Sequence, residues 1–478
     1  AAACASPVQP NAIDRLQPCA GDAGPTDAFC GTLRVFEQRD LRAGRAIDLH
    51  IVVLPALGRD AKPDPLFFLA GGPGQGAARM AQQVRELFRQ VQSDRDIVLV
   101  DQRGTGRSNA LDCKSEDESL RALNAPIEST LAELRTCLAR LDADPRFYTT
   151  PIAMDDLDDV RAHLGYARIN LYGGSYGTRA ALVYMRQHPA RVRAAVLDGV
   201  APMDMSLPLF FARDVQRAFD RLLEDCEIDA GCRQHYPGLT RRAAALFERL
   251  RQKPAKVRLI HPRRGAPEEL SFDASVLANV IAGTLYSPLI SSLLPELLAR
   301  AEADDFQGLI TLLSLNDPAL ENMSVGMQLS VLCAEDLPRV GAADAARRSA
   351  ATLFAPLVEA RLRACESWPT GVVPPDYHEP VVSAIPTLVL SGDLDPVTPP
   401  SWGESVAKHL RQSRHLVMPA TGHGVLLTGC GRRLVREFLE QARADGLDTK
   451  CVNVAKRPPF FLSPAGPDPA RVTSVPIS

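Results

Sequence analysis

Ser175 lies in Gly173-Gly174-Ser175-Tyr176-Gly177, a G-x-S-x-G stretch between the apolar run "INLY" and a helical pattern. A strand-to-helix turn this tight leaves no room for side chains two residues before and after the serine, and it lifts the hydroxyl above the sheet as a nucleophile. The same turn sets the amide of Tyr176 at a helix N-terminus, where it can stabilise an oxyanion. The alternative is a plain glycine-rich turn; a strand before and a helix after favour the nucleophile.

A serine hydroxyl needs a base. His423, between glycines in "PATGHGVLL" after the last strand pattern, exchanges protons near neutral pH. An acid must then accept the imidazole's second N–H. "LVLSGDLDPVTPP" offers Asp393 and Asp395, and "VLDGVAP" offers Asp198; each could instead be an Asx turn or helix cap. The chain order Ser, Asp, His, each after a strand, is a known order for such triads. A second oxyanion donor is expected from "FFLAGGPGQGAAR", where Gly72 is the choice. Pro73 has no N–H, and Gly71, Gly72 and Gly74 let backbone approach a substrate closely.

That loop also fits a dinucleotide-binding turn: Gly72, Gly74 and Ala77 give G-x-G-x-x-A, and Asp101 ends the next strand. Pro73 inside the turn and a cysteine-rich chain argue against it, and it would leave Ser175, Asp395 and His423 unexplained. No cofactor is therefore expected. No His/Cys spacing matches a zinc site, so no metal is proposed. "MDDLDDV" reads as acids in the first turn of a helix, complementing its dipole.

The elements that must position these residues follow a pattern. "TLRVFEQRD" and "AIDLHIVVLPA" read as an antiparallel hairpin. Short apolar strands then alternate with helices: "PLFFLA", "DIVLVD", "INLYG" and "RAAVLDG", with helices through "AARMAQQVRELFRQV" and "DDLDDVRAHLGY" and from Thr178. Fully apolar strands between helices imply a parallel sheet covered on both faces. Residues 203–377 carry long amphipathic patterns such as "DVQRAFDRLLEDC" and "RRAAALFERLRQ", which read as a mostly helical insertion or cap. Strands return with "PTLVLSG" and "RHLVMPA". The expected division is a core over 1–202, a helical cap over 203–377 and the rest of the core over 378–478.

At 478 residues, with 46% hydrophobic and 23% charged residues, the chain has the composition of a globular protein with ample core. A net charge of −3 does not suggest a nucleic-acid partner. The abundant arginines are scattered among acids and read as coding bias. No apolar run approaches the ~18 residues of a membrane helix. A monomer is favoured.

Eleven cysteines point to an oxidising compartment: secreted, periplasmic or cell-envelope. Nearest neighbours would pair Cys19 with Cys30, Cys113 with Cys137, Cys226 with Cys232, Cys333 with Cys365, and Cys430 with Cys451. Cys4 is left over in "AAACASPVQP". That start, with no initiator Met or apolar h-region, reads as a processed chain or one cloned without its signal peptide. A lipid-bearing Cys4, as in a bacterial lipoprotein, and a plain secretory cleavage site explain the same letters.

Together, "GGPGQG", "DQRGTGRS", "GGSYGT", "SGDLDPVTPP" and "TGHG" in this order resemble the α/β-hydrolase superfamily, and more narrowly its tripeptidyl aminopeptidase and proline iminopeptidase branch. The likeness spans nearly the whole chain; the insertion matches in position more than in sequence. It implies an α/β-hydrolase fold, a mostly parallel doubly wound sheet with an inserted helical cap, and a serine peptidase acting near a free N-terminus. An esterase on the same triad, taking a small ester, is the alternative. A non-catalytic binding protein of the same fold is a further one. The resemblance implies Ser175 as nucleophile, His423 as base and Asp395 as the acid, with Asp393 a structural neighbour, and the amides of Gly72 and Tyr176 as the oxyanion hole. Ala70 stands where proline iminopeptidases usually have His, which favours the tripeptidyl aminopeptidase side. Aminopeptidase relatives hold the substrate amine with acids from the cap, which implicates Glu335 and Asp336 in "SVLCAEDLPRV", Glu335 as the ammonium binder; the alternative is an acid at a helix end that meets only water.

Overall fold

The computed structural model describes residues 15–113, 119–120, 123, 125–315, 322–340, 347 and 352–467. Cys4 and its lipid-anchor reading lie outside them.

Among the described residues eleven strands are formed: β1 (Gln17–Pro18), β2 (Phe29–Phe36), β3 (Ala46–Leu54), β4 (Leu66–Leu69), β5 (Ile97–Val100), β6 (Ile169–Gly174), β7 (Val192–Asp198), β8 (Ala255–Ile260), β9 (Pro267–Phe272), β10 (Thr387–Gly392) and β11 (Ser413–Met418). Nine of them make one sheet in the order β1-β2-β3-β5-β4-β6-β7-β10-β11. The hairpin β2/β3 is antiparallel from Phe29↔Val53 to Phe36↔Ala46, and β3 joins β5 antiparallel. From β5 through β4, β6, β7 and β10 to β11 every pairing is parallel.

In the central strands both faces are apolar because helices cover both. Successive side chains of β4 point to opposite faces: Phe67 and Leu69 pack with Leu171, Ala180 and Met154, whereas Leu66 and Phe68 pack with Leu99, Val196 and Phe438. The parallel arrangement brings the carboxyl ends of β6, β7, β10 and β11 to one edge. Gly174 pairs with Asp198, Asp198 with Leu390, and Gly392 with Met418.

Between β7 and β10 the chain leaves the sheet. Helices Leu207–Ile228, Leu239–Gln252, Ala274–Thr284, Leu294–Glu302 and Ala355–Cys365 surround a separate core with Phe219, Phe247, Phe272, Phe306 and Phe354 at its centre. Helical periodicity alone misses the antiparallel pair β8/β9 inside this insertion. It turns through "HPRRGAP", with Gly265 at φ +65°. Leu259, Leu270 and Phe272 of this hairpin are buried in the insertion's core.

The far C-terminus also departs from the expected division. Phe460 is buried in the insertion's core, Arg457 pairs with Asp225 at 2.8 Å, and the Phe461 amide donates to the carbonyl of Ser292 at 3.1 Å. The last described stretch therefore straps across the helices instead of returning to the sheet.

"MDDLDDV" is corrected too. The helix runs Thr150–His163 with Pro151 in its first turn, so these acids lie inside it. Asp156 is buried against Arg103 (2.6 Å) and Arg39 (2.7 Å), joining the helix to the β2/β3 hairpin region.

Five disulfides close Cys19–Cys30, Cys113–Cys137, Cys226–Cys232, Cys333–Cys365 and Cys430–Cys451, the nearest-neighbour pairs. No helix among the described residues is long and apolar enough to cross a membrane.

Candidate active site

The turn after β6 is as tight as its glycines suggest. A Cβ on Gly173 would lie 2.3 Å from the carbonyl oxygen of Gly177, and one on Gly177 would lie 2.2 Å from that of Leu69. Ser175 adopts φ +56°, ψ −125°, a region that non-glycine residues enter only under constraint. Its amide is held by the carbonyl of Asp198 at 2.9 Å. Helix Tyr176–Gln187 starts at the next residue, two earlier than the pattern from Thr178 suggests.

Two amides beside the serine, those of Tyr176 and Gly72, are left without hydrogen-bond partners among the described residues. Tyr176 is the first residue of its helix, whose opening amides lack intrahelical acceptors. Gly72 sits at φ +113°, and a Cβ there would meet the Gly74 amide at 2.7 Å. The place of a Cβ on Gly71 lies 3.2 Å from Cβ of Ser175, so the glycine loop and the serine turn touch.

His423 follows β11 on a loop fixed by the insertion: its amide donates to the carbonyl of Tyr286 at 3.0 Å, and the Tyr286 ring meets the imidazole edge-on, centroids 5.1 Å apart. Nδ1 lies 2.8 Å from Oδ2 of Asp395. With Nδ1–H given to Asp395, Nε2 is the nitrogen free to accept a proton. Gly199, after β7, lets the ring sit close; a Cβ there would be 3.1 Å from Cε1 of His423. Residues 198 and 199 thus touch both the serine turn and the imidazole.

Asp395 is fully buried and tightly held. Oδ1 accepts from the amides of Val397 (2.9 Å) and Thr398 (2.8 Å), and Oδ2 accepts from Thr398 Oγ1 (2.8 Å) besides His423. Burial opposes its ionisation, but the charge and hydrogen bond of His423, with the two amides, hold it below the usual carboxylate range. Burial likewise opposes the imidazolium, and Asp395, helped by the charge of Asp198, outweighs it and holds His423 above its ordinary value.

The other two acids are used differently. Asp198 accepts from the amides of Val425 and Leu426, both at 2.8 Å, and from Tyr172 O–H at 2.9 Å. It braces the segment just after His423. Asp393 accepts from the Thr421 amide at 3.4 Å, bracing the segment before it. Of the three candidates, only Asp395 bonds the imidazole.

Asp101, which a dinucleotide turn would turn toward a ribose, is fully buried. It accepts from the amides of Ala78 (2.8 Å) and Arg107 (2.9 Å), so it clasps two loops of the protein itself.

Glu335 and Asp336 do not face open space. Glu335 is 0% exposed and accepts from the Thr150 amide (2.5 Å), Thr150 Oγ1 (2.9 Å) and Tyr377 O–H. Asp336, also 0% exposed, pairs with Arg179 at 3.0 Å. A substrate ammonium could reach either only by displacing these partners, so the expected amine-binding role is not supported by the geometry.

Three contributors escape a reading of sequence: Thr398, Gly199 and Tyr286. Thr398 alone leaves a signal, as a hydroxyl three residues after the acid in "DPVT".

A mostly parallel sheet interrupted by a helical insertion, with a strained serine turn after one strand and an Asp–His pair after the last two, defines the α/β-hydrolase fold. A family model described as alpha/beta hydrolase fold matches residues 64–268, and one described as TAP-like protein matches residues 351–451. The chain is 30% identical over 471 residues to Serine protease Hip1 of Mycobacterium tuberculosis, covering 89% of this chain and 88% of that one. It is 26% identical over 475 residues to the tripeptidyl aminopeptidase of Streptomyces lividans, covering 91% and 85%. A shorter match of 30% identity over 138 residues joins it to a proline iminopeptidase of Neisseria gonorrhoeae, covering 28% and 32%. The chain belongs to the α/β-hydrolase family, with the TAP-like enzymes.

Proposed function

We propose that this enzyme is an exported serine peptidase that cleaves peptide bonds near a free N-terminus through an acyl-enzyme. The observation that carries the chemistry is the buried Asp395–His423 contact of 2.8 Å at the sheet edge that also bears the strained Ser175. In this reading Ser175 Oγ attacks the peptide carbonyl as Nε2 of His423 takes its proton. The oxyanion of the tetrahedral intermediate meets the amides of Gly72 and Tyr176. The imidazolium passes its proton to the leaving amine as the C–N bond breaks; water, activated by His423, then attacks the ester and restores Ser175.

The names of the relatives support action on peptides from the amino end. Five disulfides support export, since such bonds persist in oxidising compartments.

The test is a mass-spectrometric survey of a peptide library in free and N-acetylated forms, with short acyl esters in parallel. Free peptides should lose a fixed short N-terminal piece, blocked ones should be spared, and Ser175→Ala should abolish both hydrolysis and fluorophosphonate labelling. Equal cleavage of blocked peptides would defeat the aminopeptidase reading, turnover of esters alone would make it an esterase, and activity surviving in Ser175→Ala would defeat the nucleophile.

A further inference from the structure

A buried polar chain runs from the insertion to the residue after Ser175. Its first member is Glu335, in the wide helical turn Leu332–Asp336. The carboxylate stands over the N-terminus of helix Thr150–His163, taking the Thr150 amide on Oε1 and the Thr150 hydroxyl on Oε2. An anion at that end of a helix is stabilised by the unpaired amides there. Thr150 Oγ1 is in turn 2.7 Å from the hydroxyl of Tyr176. An ionised carboxylate only accepts, so with Glu335 ionised the Thr150 proton goes to Glu335 and the Tyr176 proton goes to Thr150.

The Tyr176 ring is buried in a cluster with Leu111, Tyr148, Met327 and Val331, and its hydroxyl is tied to Thr150. Between residues 173 and 177 the turn has three glycines, the serine and Tyr176. Tyr176 is thus the one large side chain that ties this turn into the protein.

We infer that Glu335, acting through Thr150, is a positioning residue that holds Tyr176, and with it the Tyr176 amide and Ser175, in register for the oxyanion. The insertion thereby supplies part of the alignment of a site otherwise built on the sheet. The inference rests on the proposed roles of Ser175 and of the Tyr176 amide. Around Glu335 the charged and titratable neighbours are Arg179 and Tyr176 on one helix, Tyr377, and Asp336 beside it. Burial pushes Glu335 up to about 7 despite Arg179 and its hydrogen bonds.

The test uses Tyr176→Phe, which removes only the hydroxyl, Thr150→Val, which keeps the shape without it, and Thr150→Ser, which restores it. Each is compared with wild type in kcat and KM on a free tripeptidyl substrate, in the rate of fluorophosphonate labelling, and in affinity for a peptidyl trifluoromethyl ketone, whose hemiketal oxygen occupies the oxyanion position. Because these amides act on the transition state, Tyr176→Phe and Thr150→Val should each lower kcat about tenfold while KM stays within about twofold. Labelling rate and ketone affinity should fall in parallel, and Thr150→Ser should recover most of the loss. Folded Tyr176→Phe and Thr150→Val enzymes with wild-type kcat and labelling would overturn the inference, as would a loss confined to KM. Should Thr150→Val not fold, Tyr176→Phe decides alone. A wild-type protein that is neither labelled nor active would instead defeat the proposed function, and this inference with it.

Discussion

Asp198 ends β7 and Asp395 lies three residues past the end of its parallel neighbour β10; both are buried, at 1% and 0% exposure, yet they differ in what they hold. Asp198 receives three neutral donors, and burial prevails over them, raising it above the usual carboxylate range. Asp395 receives two amides, a hydroxyl and the imidazole and is lowered instead. Residue type and burial are shared; the direct bond to the imidazole separates a brace for a loop from the acid proposed to orient a base.

The sharpest way to break this comparison is to neutralise each acid in turn. Asp395→Asn should lower kcat by about 10⁴-fold, as loss of the orienting acid does in such triads. Asp198→Asn should cost about 1–3 kcal/mol of stability, since an Asn amide faces two backbone N–H donors with only one acceptor oxygen, with a far smaller effect on kcat. Thermal melts beside steady-state kinetics check both, and a larger kcat loss in Asp198→Asn than in Asp395→Asn would reverse the assignment.

The pH profile sharpens it further. In the proposed mechanism His423 works as a base when neutral, so kcat/KM should rise with pH along a limb set above the ordinary imidazole range. Removing either negative charge makes the imidazolium less favourable and moves the limb to lower pH, more for Asp395→Asn than for Asp198→Asn. The sign for stability follows: what the raised His423 contributes is fully present below about 6.5 and is lost as pH rises through its folded value. Asp395→Asn should flatten that slope. The smallest effect falls on Thr398→Val, which leaves the Asp395–His423 contact but removes the hydroxyl bonded to Oδ2; a loss of roughly tenfold in kcat is expected, read against unchanged KM.

Much of this was legible in sequence because it is local. The glycines around Ser175 and the apolar strands of the sheet are short-range demands of backbone sterics and burial. The separation of Asp198 from Asp395 is not local, since it depends on amides 227 and 228 residues away. Glu335 was visible as an acid, but its partner Thr150 lies 185 residues off, and what reads as a group available to substrate is spent on a helix end. The β8/β9 hairpin hid because only Leu259, Leu270 and Phe272 of it are deeply buried, too few to give a strand its period in a helical context. The C-terminal strap hid for a related reason: Phe460 finds its pocket on helices distant in the chain, and nothing near it in sequence announces that.

The carbonyl of Tyr286 holds the His423 amide, and a Cβ on the preceding Gly422 would lie 2.2 Å from that same oxygen. Ser324 and Asn322 likewise bond Gly74 and Gly76 in the glycine loop, at 2.9 and 3.0 Å. The insertion is thus bonded both to the segment that carries His423 and to the glycine loop, and a displacement of it would drag on the two together. If these residues act as proposed, a roof riveted at both ends makes admission and reactivity a single property, and a change in one is felt in the other.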